Sequence, residues 1–276
     1  MIPTPAHQRA DGAAEIGFAH TARGTVLRHL YQQAPLRVLF PDPEPGEPPT
    51  AALVNTAGGL AGGDALRLDA ALDEGAQATL ATPAAEKVYR SLGPSTRIAT
   101  ALRLGAGSGL EWLPQETILF DGARLRRRLD VDLGADARLL AVEVLVFGRA
   151  ARGERFRAGH LHDAWMVRRE GCLVWADALR LDDPAAALDA PFGFGGAGAL
   201  GTLLLAAGDA AAHLDALRAL AEAASCPAAA TVPRPGLLVG RWLGAASAVR
   251  AGIGTAVVAL RAAALGRPER LPRLWT

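Results

Sequence analysis

At 276 residues, half of them hydrophobic, the chain can bury a full core as one large domain or two small ones. Its 29 basic and 28 acidic residues leave a net charge of +1 and are intermixed, so neither nucleic acid nor a membrane surface has an electrostatic handle on it. Two cysteines, Cys172 and Cys226, supply neither a disulfide framework nor metal-binding spacing.

Residues 1–20 carry no apolar core of the kind a signal peptide needs, and a cytoplasmic protein is expected. Residues 25–40 mix strand-like apolar positions with Pro35 and predict an opening hairpin. Residues 41–49 hold proline, glycine and acids, which makes a surface loop. Two glycine pairs follow, Gly58-Gly59 and Gly62-Gly63, with Asp64 directly after them. A phosphate loop would need a lysine and a hydroxyl residue there, and Asp64 puts an anion in their place. Leu66, Leu68, Ala70 and Leu72 then alternate with Arg67, Asp69 and Ala71, so the glycines join two strands. Residues 82–90 predict a short charged helix or turn.

Three segments share one pattern: a strand, a Gly-Ala turn and a returning strand. The turns lie at Gly75-Ala76, Gly105-Ala106 and Gly134-Ala135, about thirty residues apart. A period of that size predicts stacked β units that bury one another's apolar faces. A further hairpin is expected over 160–181, turning at Arg169-Glu170-Gly171, with Cys172 as a small buried hydrophobe. Residues 190–208 are uncharged and nearly long enough to cross a bilayer, but their glycine content predicts loop plus buried strand. Helices are expected over 209–225, capped by Asp209, and over 254–265, ended by Gly266 and Pro268. Strands fill 236–249, with Trp242 buried. The prediction is a mainly β protein of stacked sheets with two α-helices near the C-terminus, a β-sandwich being the alternative.

Several segments, taken together, resemble the UreD (UreH) family of urease accessory proteins. They are 58–64, 82–90, 111–120, 148–154 and the ending Pro272-Arg273-Leu274-Trp275. The likeness runs from Gly24 to Trp275, with one departure at Pro83, where the family more often has glutamine. It implies a single domain over residues 1–276 with a β-helix-like topology. It further implies a non-catalytic chaperone that works with UreF and UreG on the urease apoprotein to insert nickel. Ni²⁺ would then be a transient cargo, with no tightly bound cofactor.

Other chemical motifs point elsewhere or nowhere. Gly193, Gly195 and Gly198 spell a dinucleotide fingerprint, but the strand-like Leu203-Leu204-Leu205 follows where a helix should start. His160 and His162 share one strand face and could reach one metal ion, though no third ligand lies nearby; two exposed histidines on a hairpin is the plainer reading. Arg124 with Arg126, Arg127 and Arg128 is read as a solvated edge. What remains is a set of carboxylates beside apolar or glycine-rich backbone: Asp64, Glu86, Glu111, Glu116, Glu143 and Asp177. Glu143 interrupts an apolar run from Leu139 to Phe147, so it needs either a salt-bridge partner, such as Arg149, or a wet cavity. A conduit for Ni²⁺ suits weak oxygen ligands at several stations, since ions must enter and leave again. These six are therefore the expected metal-handling positions. Trp112, Trp242, Trp275, Tyr89 and Arg273 are the aromatic and arginine anchors available to partners, with Trp112 and Trp242 expected in the core. Two readings stay open beside the conduit: a structural adaptor without metal contact, and a carbohydrate-active enzyme using Glu111 and Glu116, which would require a kink at Pro114.

Overall fold

The computed structural model describes residues 9–275. β1 (Asp11–Thr21) turns back into β2 (Gly24–Gln33), and the chain then crosses to a second sheet as β3 (Leu36–Leu39) and β4 (Thr50–Asn55). Residues 25–40 therefore do not pair with each other. β2 is antiparallel to β1 and β3 to β4, in different sheets.

From there the chain winds. β5 (Ala65–Leu72) lies in the first sheet and β6 (Gln77–Ala81) in the second, followed by the short β7 (Glu86–Val88). β8 (Thr96–Leu104), β9 (Gly109–Leu113) and β10 (Thr117–Leu119) repeat the circuit. β11 (Arg124–Leu133) and β12 (Arg138–Phe147) repeat it again, and β13 (His160–Arg169) returns to the first sheet. The first sheet is parallel across β1, β5, β8, β11 and β13. The second is parallel across β4, β6, β9 and β12. The Gly-Ala turns are thus corners between two stacked sheets, which is the β-helix-like arrangement. They differ from hairpins only in where the returning strand finds its partner.

Backbone bonds tie each corner to the next, from Gly75 N–H to the Ala106 carbonyl and from Gly107 N–H to the Ala135 carbonyl, both at 2.9 Å. Corners this close leave no room for a side chain between them. A Cβ on Gly134 would come within 2.8 Å of the Ala106 nitrogen.

Antiparallel strands close the coil at both ends. β14 (Cys172–Leu181) forms the expected hairpin with β13, but Cys172 is exposed because β14 is an edge strand. After α1 (Pro184–Asp189) and a glycine-rich turn, β15 (Ala199–Ala206) joins the second sheet beside β12. α2 (Leu214–Glu222) follows a 3₁₀ turn over Ala210–His213. Asp209 precedes that turn without capping it, because its carboxylate pairs instead with Arg138 at 2.8 Å. β16 (Ala228–Arg234) and β17 (Leu237–Gly244) complete the sheet. α3 (Ala246–Leu265) starts earlier than its glycines suggested, taking residues expected in a strand. Residues 82–90 also depart from expectation: they pass through a bend into the strand β7.

Three apolar clusters result. One lies between the sheets, a second packs α2 and α3 on the outer face of the second sheet, and a third closes the inter-sheet space around Phe147 and Phe156. α3 is long and apolar enough to cross a membrane, but its apolar face is packed on this sheet.

Candidate functional site

Strand parity assembles the site. On β11, Leu125, Arg127 and Leu129 share the inner face; on β13, Leu161, Asp163 and Trp165 do the same. Arg127 and Asp163 are direct partners in the parallel pairing of these strands. Across the gap, β12 presents Glu143 between the inward-facing Ala141 and Leu145. A single polar layer therefore separates the inter-sheet cluster from the cluster around Phe147.

The Arg127 guanidinium forks onto Asp163, Nε to Oδ1 at 2.8 Å and Nη2 to Oδ2 at 2.7 Å. Nη1 donates to Thr117 Oγ1 at 3.0 Å, and Nη2 lies 2.8 Å from Glu143 Oε2 as an ion pair. Glu143 takes its aligned hydrogen bonds from two indoles, Trp165 Nε1 at 3.0 Å and Trp112 Nε1 at 3.4 Å. All three charged groups are buried. One guanidinium faces two carboxylates, so with both ionised the layer holds one more negative charge than positive. Burial pushes the Glu143 carboxyl up to about 7, with Arg127 and the indoles acting against the shift and the Asp163 charge adding to it. Burial also opposes the charge on Arg127, but the two carboxylates more than offset it and hold the guanidinium above its ordinary range.

Arg127 and Glu143 form the shared wall of two cavities. One, of about 460 Å³, continues past Asp163 and Trp165 to Thr202, Asp177 and Arg241. Asp177 and Arg241 make a partly exposed ion pair there. The other, of about 210 Å³, runs from Arg127 and Thr117 toward Asn55, Gly58 and Glu86. Thr117 pairs with Glu86 in the β10–β7 ladder, so the polar residues continue from one cavity into the next. The Glu86 carboxylate accepts from the Asn55 amide at 3.0 and 3.1 Å, and burial raises its pKa against that amide and Lys87. Gly59 packs against the Tyr89 ring, where a Cβ would come within 2.6 Å, and Tyr89 Oη donates to the Gly58 carbonyl. The glycine loop is thereby held as one lip of this cavity.

Of the six predicted carboxylates, Glu86, Glu143 and Asp177 line these two cavities. The other three lie elsewhere. Asp64 fastens the glycine loop, accepting from Ala10 N–H at 2.9 Å and Ala61 N–H at 2.7 Å. Glu111 faces α3, where fully buried Arg261 meets it at 2.8 Å and also holds Glu47 at 2.6 Å. Glu116 pairs with Arg250 at 2.6 Å, and that guanidinium lies over the Trp275 ring. Trp275 is buried and donates to the Leu113 carbonyl. Trp112 and Trp242 are core residues, as expected.

Two members of the site escaped the sequence reading. Nothing in the local pattern singles out Asp163, and Arg127 lies in a basic run that reads as a solvated edge; Arg126 and Arg128 are exposed, while Arg127 points inward between them. Glu143 does have an arginine partner, but it is Arg127; Arg149 pairs with Glu154. His160 contacts Asp182 at 3.0 Å, and among the described residues no group of three or more histidine, cysteine or acidic side chains is arranged to hold a metal ion.

The model of the family described as UreD urease accessory protein matches residues 10–276. The chain belongs to the UreD family. Among its relatives is a protein named urease accessory protein UreD from Granulibacter bethesdensis, 56% identical over 239 residues, covering 86% of this chain and 99% of that one. A protein of the same name from Magnetococcus marinus is 48% identical over 275 residues, covering 97% and 94% of the two chains. Another, from Methylobacterium sp. strain 4-46, is 47% identical over 282 residues, covering 99% and 98%. UreD membership gives this protein a role in urease maturation.

Proposed function

We propose that this UreD protein is a non-catalytic, cytoplasmic chaperone that acts with UreF and UreG on the urease apoprotein, and that Ni²⁺ crosses its interior between the two sheets. The observation that carries this reading is the wall shared by the two cavities, whose polar groups hold an excess of negative charge. A buried anionic excess is costly unless a proton or a metal cation neutralises it. Glu86, Glu143 and Asp177, joined by Asp163, form a sequence of oxygen stations from one cavity to the other. Hard carboxylate oxygens hold a divalent first-row ion less tightly than imidazole or thiolate would, which suits a cargo that must leave again. Asp64, Glu111 and Glu116 satisfy backbone and arginine groups, and in this reading they shape the walls.

The test is co-expression with the urease subunits, UreF and UreG, reading both the nickel content of urease and the recovery of UreF in a pull-down. Glu143→Ala leaves Arg127 its fork on Asp163, so the fold should persist. Lower nickel content with unchanged UreF recovery is the expected result. Unchanged nickel content would favour a structural adaptor, the reading supported by the arginine partners of Glu111, Glu116 and Asp177. Loss of UreF binding would mean that Glu143 serves the fold.

A further inference from the structure

The polar layer contains its own cation, and its attachments are unequal. Glu143 is fixed by indole N–H groups from both sheets, Trp112 on β9 and Trp165 on β13. The β11–β13–β14 ladder fixes the Asp163 backbone, and its carboxylate takes the Arg127 fork. Glu143 thus keeps its position without help from Arg127. The Arg127 head sits at the end of a long side chain, held by its fork on Asp163 and by Thr117 Oγ1. It crosses the inter-sheet gap and meets Glu143 at 2.8 Å without an aligned hydrogen bond. It stands at the wall common to both cavities, and the larger cavity offers room for the side chain to withdraw.

We propose that Arg127 is an exchangeable plug: it occupies the Glu143–Asp163 pair when no metal is there and yields that pair to a divalent cation. This deepens the passage reading and rests on it. Two carboxylates meeting at one wall attract a doubly charged ion more strongly than a singly charged guanidinium, because the Coulomb energy scales with the charge. A monovalent ion has no such advantage over the resident arginine. The plug therefore excludes monovalent ions. It also keeps the site shallow, since every bound divalent ion competes with a tethered cation that returns when the ion moves on. Arg127 acts as a specificity-determining residue that need never touch the metal.

Equilibrium dialysis of the full-length protein against Ni²⁺ at fixed ionic strength tests this. Arg127→Gln should tighten Ni²⁺ binding about tenfold or more, a modest part of what removing one unit charge from a few Å supplies. Adding Glu143→Gln to that variant should abolish the gain. Melting curves establish that each variant is folded. If Arg127→Gln fails to fold, Arg127→Lys keeps the charge but loses the fork on Asp163, and should tighten binding roughly threefold. Unchanged or weaker Ni²⁺ binding in the folded variant overturns the plug, as does a gain that survives Glu143→Gln. The two readings fail separately. If Glu143→Ala leaves urease nickel content intact, the passage itself falls. If it lowers nickel content while the Arg127 variants bind Ni²⁺ like the wild type, only the plug falls.

Discussion

Arg261→Ala should be among the most damaging single changes in the protein. Arg261 is fully buried on α3 and holds two carboxylates, Glu111 on β9 and Glu47 in the loop before β4. Its Nη1 also donates to the carbonyls of Pro268 at 3.1 Å and Arg270 at 2.6 Å. Glu111 is itself fully buried, with Thr79 Oγ1 as its other donor at 2.6 Å. Removing the guanidinium takes from that carboxylate its hydrogen-bonded counter-charge, which costs about 3–5 kcal/mol in comparable buried pairs. At roughly 2–4 °C per kcal/mol for a chain near this size, the melting temperature should fall by about 10 °C. Thermal melts of the variant and wild type measure this directly. A double variant isolates the cause: Arg261→Met with Glu111→Met removes both charges and should recover at least half of the loss. A loss below about 1 kcal/mol, or a double variant no better than the single one, would refute the idea that the unpaired charge dominates. If the double variant also delivers nickel normally, Glu111 is not an ion station.

Glu143 should make stability depend on pH. Its folded pKa is raised from 4.5 to about 7, so the stabilisation is full below pH 4.5 and is lost as pH rises through about 7. In metal-free buffer, Glu143→Gln should flatten the melting profile between pH 5 and 8 and gain on the wild type at the upper end; parallel profiles would show that Glu143 does not titrate there. Gly134→Ala forces a Cβ within 2.8 Å of the neighbouring corner and should cost about 1–3 kcal/mol in denaturant unfolding. Gly107→Ala has open space around it and should cost no more than the left-handed backbone penalty of about 1 kcal/mol. Exposed Cys172 should react with a thiol reagent in the native protein well before Cys226, which is half-buried and whose thiol pKa is raised by burial.

The glycine corners at 75, 105 and 134 made the stacked architecture legible, because their period is independent of how the strands pair. The pairing itself was hidden. A strand that returns in the facing sheet and one that returns alongside carry the same period-two alternation and the same turn residues. Glu143 stood out because a lone charge in an apolar run must be accounted for. Its partners were visible in principle through the same parity. Leu125, Arg127 and Leu129 alternate with Arg126 and Arg128, and Leu161, Asp163, Trp165 and Val167 alternate with the polar His162. The density of arginines over residues 124–128 masks that alternation. Cys172 misled for the opposite reason: its apolar neighbours belong to an edge strand, and composition does not distinguish an edge from a centre. The early start of α3 was obscured by Gly252 and Gly254, whose low helix propensity is overridden by packing; Gly252 lies where a Cβ would meet the Trp242 ring.

The contact between Arg261 and Glu111 spans 150 residues, and this has a consequence for a chain made from one end to the other. By the time α3 leaves the ribosome, every strand of the coil has already emerged. Until then the outer face of the second sheet has only α2 as cover, and Glu111 lacks the Arg261 guanidinium. A chain that stops before α3 would therefore have all the strands of the coil and a flank that α2 covers only in part, leaving apolar surface open to proteases and self-association.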